Sequence, residues 1–222
     1  MKRTLGIFGD SFAAQDGGVP LINYKSWPEL LSEEFDVTNY AASNSCLYYS
    51  VSNFLNNHFK YDFVVFHVTG YGRLYLEEKN SIITADGKKM RHVKANQRSM
   101  LKPEDLKSSR NLTIIQAIEN YYAFVFNAEK EIYCHNLMIA DIKSKRPDIL
   151  ILDLWGWCDK ENDFYSYYHG KTKIDYRKNH LTKTNHVMLF QYIKDSIDGN
   201  HPDIDQYYRT PEEPYEYYFT DE

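Results

Sequence analysis

Two residues in this chain have the type and setting for nucleophilic catalysis. Ser11 stands in "GIFGDSF" (6–12), between an aspartate and a phenylalanine, where an apolar run stops at Gly9. Such a run holds the hydroxyl at the carboxyl edge of a sheet, where open α/β folds keep reactive groups. A serine hydroxyl is a weak nucleophile at neutral pH. It needs an imidazole within hydrogen-bond reach and a group that fixes the imidazole tautomer. Of the eight histidines, His180 has the best setting: in "DYRKNHLTKTNH" it comes just before an apolar-periodic segment, with Leu181 and Thr182 as the start of a helix. In a doubly wound fold that loop lies at the same carboxyl edge as the end of the first strand. The competing readings are structural: Ser11 as a turn residue capping the next helix, His180 as a helix-start residue bonded to backbone.

These residues need a scaffold, and the hydrophobic pattern supplies one. "TLGIFG" (4–9), "FDVTNY" (35–40), "DFVVFHVT" (62–69) and "DILILDLW" (148–155) read as strands, and three of them are nearly continuous apolar runs, the pattern of strands covered on both faces. "SWPELLSEEF" reads as a helix with Ser26 as N-cap, Glu29 completing a capping box and Pro28 in the first turn. "NSCLYYSVSNFLNNHF" (44–59) places Leu47, Val51, Phe54 and Leu55 on one helical face. A helix-compatible stretch without Gly or Pro runs from about Asn111 to Lys145, before Pro147. "LTKTNHVMLFQYIKDSI" reads as a closing helix with Val187, Phe190, Ile193 and Ile197 toward the core.

This order predicts a flavodoxin-like α/β domain, a three-layer α/β/α sandwich with a mostly parallel sheet of about five strands. The domain spans residues 1–199, interrupted by an insertion at about 75–109, where Asp86-Gly87 signals a hairpin and Pro103 a short helix. Residues 200–222, rich in Tyr, Pro and acid, read as an extended arm packed on the body or, in a homo-oligomer, on a neighbouring copy.

Composition narrows the function classes. Length and a 43% hydrophobic content allow a full core. Cys46, Cys134 and Cys158 are odd in number and widely spaced, which fits reduced thiols. Cys134 and His135 have no partner at metal spacing and read as helix residues, and serine–histidine chemistry requires no metal or organic cofactor. The N-terminal apolar run is too short for a signal peptide and no stretch approaches a membrane span, which predicts a cytoplasmic protein with no membrane partner. A formal charge of −5 gives no electrostatic reason for a nucleic-acid partner, and the basic stretch Lys88 to Arg98 reads as a solvated insertion. "GDSFAAQDGG" lacks the lysine and glycine spacing of a phosphate loop, which argues against a nucleotide-binding domain.

"FGDSF" (8–12) together with "HLTKTNHVMLFQYI" (180–193) resembles the SGNH (GDSL-type) hydrolases over nearly the whole chain to about residue 199, excepting the insertion. The resemblance implies Ser11 as nucleophile and His180 as base. It puts the second-block backbone N–H donor at Asn44 in "NYAASNS", where the family usually has glycine, flanked by Ser43 and Ser45. The third block departs further: the family's oxyanion asparagine is absent from "VTGYGRL" (68–74), leaving Arg73 or Tyr71 as donors. Three residues before the base, where the family has aspartate, stands Arg177; Asp175 is the substitute acid, with Asp153, Asp159 and Asp163 as others. An acid-free dyad, with a backbone carbonyl orienting the ring, is a further option.

The implied activity is a serine esterase that removes small acyl groups, acetyl above all, from a carbohydrate. Ser11, Asn44 and Arg73 would hold the oxyanion, and the partner would be a small acylated substrate or glycan. Trp155 and Trp157 read as core packing or as sugar-stacking platforms. The two altered signature positions support a second reading, an SGNH-fold binding or structural module without turnover. The Asn, Lys and Tyr bias and the aromatic tail would suit a bacteriophage-encoded, virion-associated protein.

Overall fold

The computed structural model describes residues 2–14, 24–42, 45–70, 116–117, 120–121, 124–154, 156–157, 181–200 and 202–210. The expected hairpin at Asp86-Gly87, the helix from Pro103, the basic stretch Lys88 to Arg98, Cys158 and the tail beyond residue 210 lie outside these residues.

Four strands form one parallel sheet: β1 (Thr4–Phe8), β2 (Asp36–Asn39), β3 (Phe63–His67) and β4 (Leu150–Leu152), in the order β2-β1-β3-β4. β1 lies between β2 and β3, with Ile7 opposite Asn39 on one side and Val65 on the other. The apolar runs of β1 and β3 become largely buried strands, whereas β4 is only partly buried, with Leu152 alone fully covered. β2, whose sequence mixes polar and apolar residues, is half-exposed at the edge of the described sheet.

Successive side chains alternate faces. Leu5, Ile7, Val65 and Leu152 point into a core closed by helix α1 (Trp27–Glu34) and the closing helix α4 (Lys183–Ile197). Phe8, Val64 and Phe66 point the other way, into a core closed by α2 (Leu47–Asn57) and α3 (Ala128–Lys145). The result is a mixed α/β fold compatible with a three-layer sandwich. Each large apolar side chain buried in these cores contributes about 1.5–3 kcal/mol. Gly6 is required on the second face: a Cβ there would lie 2.5 Å from the Tyr61 ring. The Tyr61 hydroxyl meets that of Tyr40 at 2.7 Å, and this hydrogen bond, with burial, pushes the Tyr40 phenol up to about 12.

Local signals set several element ends. Ser26 starts α1 as expected, its N–H and hydroxyl both donating to Glu29 (2.7 and 2.6 Å), with Pro28 in the first turn. Three expectations are corrected. The long helical stretch is broken before Asn127, whose extended backbone and side chain, accepting from Lys130 N–H, start α3 afresh. On α2 Leu55, expected inward, is exposed, and Ser50 is buried with Leu47, Val51 and Phe54. α4 is rotated: Val187 is exposed, Phe190 and Ile197 are only partly buried, and Asn185, His186, Leu189, Tyr192, Ile193 and Ser196 face inward. The inward polar groups have specific partners; Asn185, for example, exchanges two 2.8 Å hydrogen bonds with the backbone of Arg209. These bonds, and Tyr207 O–H donating to Asp195 at 2.5 Å, dock residues 202–210 onto α4.

At the amino edge of the sheet one side chain clamps two strands. Arg146 donates to the carbonyls of His58, Tyr61 and Asp62 (2.9, 2.9 and 2.7 Å) and pairs with the Asp148 carboxylate at 2.9 Å. Beside it, the Asp62 carboxylate accepts from the N–H and hydroxyl of Thr4, which holds its pKa below the ordinary 3.8.

Arg146→Met should lower the unfolding free energy by about 1–2 kcal/mol in urea titration, because three partly exposed backbone carbonyls lose a charged donor at once. A depressed native pKa means that the unfolded chain binds the proton first, so Asp62 stabilises fully above its unfolded pKa and progressively less as pH falls through the native one. The acid limb of a stability–pH curve should therefore be shallower in Asp62→Asn than in wild type.

Candidate functional site

The chain leaves β1 to build β2 on one side and then returns across it to build β3 on the other. The strand order therefore reverses between β1 and β3, and ligands in open α/β sheets bind outside the carboxyl ends at such a switch point. The residues leaving these two ends are Gly9-Asp10-Ser11 and His67-Val68-Thr69.

Gly9 permits the approach of the two segments, since a Cβ at this position would lie 2.8 Å from His67 Cβ and 3.1 Å from Ala13 Cβ. Its carbonyl accepts from Ser45 Oγ (3.0 Å), Ser50 Oγ (3.1 Å) and Ala42 N–H (3.3 Å), tying the strand end to the β2–α2 connection. Asp10, fully buried, then starts a helical turn. Its carbonyl accepts from Ala13 and Ala14 N–H (3.0 and 2.9 Å), and its carboxylate accepts from Phe12 N–H at 3.1 Å. That side-chain-to-backbone bond is the cap of the turn. Ser11 is consequently not the capping residue: it is 8% exposed, and its hydroxyl makes no hydrogen bond among the described residues.

The turn is held from two further directions. Trp27 donates its indole N–H to Phe12 O at 2.8 Å, and Asn39 donates its amide to Ala13 O at 2.7 Å. Across the switch point the His67 side chain, 1% exposed, brings Nδ1 to 3.1 Å from Asp10 Oδ1 without hydrogen-bond alignment, and its ring lies 5.3 Å from that of Phe12. Among the described residues His67 Nε2, Thr69 Oγ1 and Trp157 Nε1 are buried polar atoms without hydrogen-bond partners, all at or just beyond the carboxyl ends of β3 and β4. Such groups each cost about 1–3 kcal/mol and gather where function, not stability, sets the arrangement.

The start of α4 reaches the same edge. Leu181 packs in one cluster with Phe12, Ala13, Trp27, Leu154 and Trp157, its carbonyl accepts from Tyr24 O–H at 3.1 Å, and Thr182 caps the helix by accepting from Asn185 N–H. His180, Asn44, Arg73 and Asp175 lie outside the described residues, as do Ser43, Tyr71, Trp155, Asp159, Asp163 and Arg177. Asp153 is exposed just past β4, while Trp157 is buried and meets Tyr208 edge-on at 5.4 Å.

Asp10, Asn39 and His67 were missed as site residues by the sequence reading. His67 carried a signal, being the one polar side chain at the end of an otherwise apolar strand. Cys46 and Cys134 form no disulfide among the described residues, and Cys134 and His135 sit within α3. Among the described residues no cluster of metal-ligating side chains occurs, and no helix is long and apolar enough to cross a membrane. A cavity of about 410 Å³ lined by Lys2, Ser32, Phe35, Asp36 and Val37 lies at the opposite, amino edge of the sheet and has no part in this site.

Gly9→Ala should cost about 1–3 kcal/mol of stability by overpacking against His67. Gly156→Ala, with nothing within 4 Å of the added methyl among the described residues, should leave the urea midpoint unchanged. Equal midpoints for the two variants would contradict the close approach. No protein-family model matches this chain, and no curated protein sequence matches it.

Proposed function

We propose that the protein is a serine esterase of the SGNH type that removes small, acetyl-like acyl groups from a carbohydrate. The observation that carries the reading is the division of labour in the β1 turn. Asp10 supplies the cap, and the neighbouring Ser11 hydroxyl, at the switch point, makes no hydrogen bond among the described residues. The order β2-β1-β3-β4 also matches the first four places of a flavodoxin-like sheet, which supports a three-layer sandwich with about five strands as the fold.

In this mechanism Ser11 Oγ attacks the ester carbonyl as its proton passes to His180. The backbone N–H groups of Ser11 and Asn44, with Arg73, stabilise the oxyanion. Collapse of the tetrahedral intermediate breaks the bond to the sugar oxygen, which leaves with the proton from His180. Water, deprotonated by His180, then attacks the acyl-serine, releasing the acid and restoring Ser11. Asp175 or a backbone carbonyl orients the imidazole.

The second reading, a binding or structural module without turnover, is favoured by the missing asparagine in 68–74 and by Arg177 in the usual acid position. Hydrolysis of p-nitrophenyl acetate separates the two. Ser11→Ala and His180→Ala should each reduce kcat/KM by about 10³-fold or more with unchanged thermal melting, and Asp175→Ala by less. Full activity in Ser11→Ala would overturn the esterase mechanism, and folded wild-type protein without turnover would favour the module.

A further inference from the structure

We propose that Trp27 is a positioning residue that locks the Ser11 turn and the start of α4 into one register; its catalytic consequence rests on the esterase reading above. Trp27 is fully buried and bonds in two directions. Its indole N–H donates to the carbonyl of Phe12, the residue after Ser11, at 2.8 Å. Its backbone N–H donates to Nδ1 of His186, on the first turn of α4, at 3.2 Å.

The second bond is unusual for its place. Trp27 is the first residue of α1, where backbone N–H groups have no partner within the helix. Here that orphan donor is satisfied by a side chain 159 residues away. A backbone N–H can only donate, so His186 Nδ1 must carry a lone pair, and the buried ring is neutral with its proton on Nε2. Tyr24 reinforces the junction, its hydroxyl donating to Leu181 O at 3.1 Å and its ring lying 5.7 Å from that of His186.

The lead-in and first residue of α1 thus bond to the residue after Ser11 and to the residue after His180. A nucleophile and base on separate segments need a common reference, because a misplacement of about 1 Å can cost about 100-fold in rate. Core packing alone would place Trp27 in contact with both segments. The two directed hydrogen bonds from one residue are what fix their relative register.

Hydrogen exchange on the full chain tests this through cross-response. Trp27→Phe keeps the bulk and removes only the indole donor. It should speed exchange about tenfold at Phe12, Ala13 and Ala14 and also at Asn185 and His186, whose own bonds it does not touch. His186→Leu should do the converse, loosening Phe12 to Ala14, whereas His186→Asn, with an acceptor near the Nδ1 position, should stay close to wild type. Exchange changes confined to each variant's own segment would overturn the proposal. Should Trp27→Phe not fold, the His186 pair decides by the same criterion at Phe12 to Ala14. With p-nitrophenyl acetate, Trp27→Phe and His186→Leu should each lower kcat about 10- to 100-fold with KM little changed, and the double variant should be no worse than either single. Multiplying losses would contradict a shared register. Absence of turnover in wild type would remove the esterase reading, and the exchange measurement would still decide the coupling.

Discussion

The arrangement depends on one close approach: the carboxyl ends of β1 and β3 come together across a residue with no side chain. Gly9 lets the His67 side chain cross the strand end, and its carbonyl gathers donors from the β2–α2 connection and from α2. The turn at Asp10 follows directly from this contact. The chain must leave the sheet at once, and the Asp10 carboxylate, placed between Phe12 N–H and His67, stabilises the reversal. Ser11 is presented by that turn without taking part in holding it.

The two edges of the sheet are held differently. At the amino edge Arg146 and Asp62 satisfy backbone groups with exposed or partly exposed charges, a purely structural arrangement. At the carboxyl edge the polar groups are buried, several bonds converge on six residues of chain, and three of the four side chains that keep an unpartnered buried polar atom among the described residues lie here, the fourth being His58 at the amino edge. Stability alone would favour apolar replacements for such groups. Their concentration beside the switch point, together with a serine hydroxyl that makes no hydrogen bond among the described residues, is the physical reason to look there for chemistry.

Much of the fold was legible because the relevant physics is local. Continuous apolar runs gave three of the strands, and the Ser26-Glu29 spacing gave the start of α1. The inward face of α4 was not legible: His186 and Asn185 turn inward because their partners are Trp27 and Arg209, contacts that no periodicity reveals. The break before α3 was marked by Asn127 followed by Glu129 and Glu131, a cap with acids in the first turn, but a stretch free of Gly and Pro concealed it. At the candidate site Ser11 was legible from its motif, whereas Asp10 and His67 form a pair only once two strands are set side by side.

Activation of Ser11 as a nucleophile is tested most directly by covalent labelling. The folded protein should be treated with a serine-directed fluorophosphonate, digested and mapped by mass spectrometry. A single adduct on Ser11 is expected, lost when the protein is unfolded before treatment. A folded protein that stays unmodified, or one modified at another serine with Ser11 untouched, would contradict that activation.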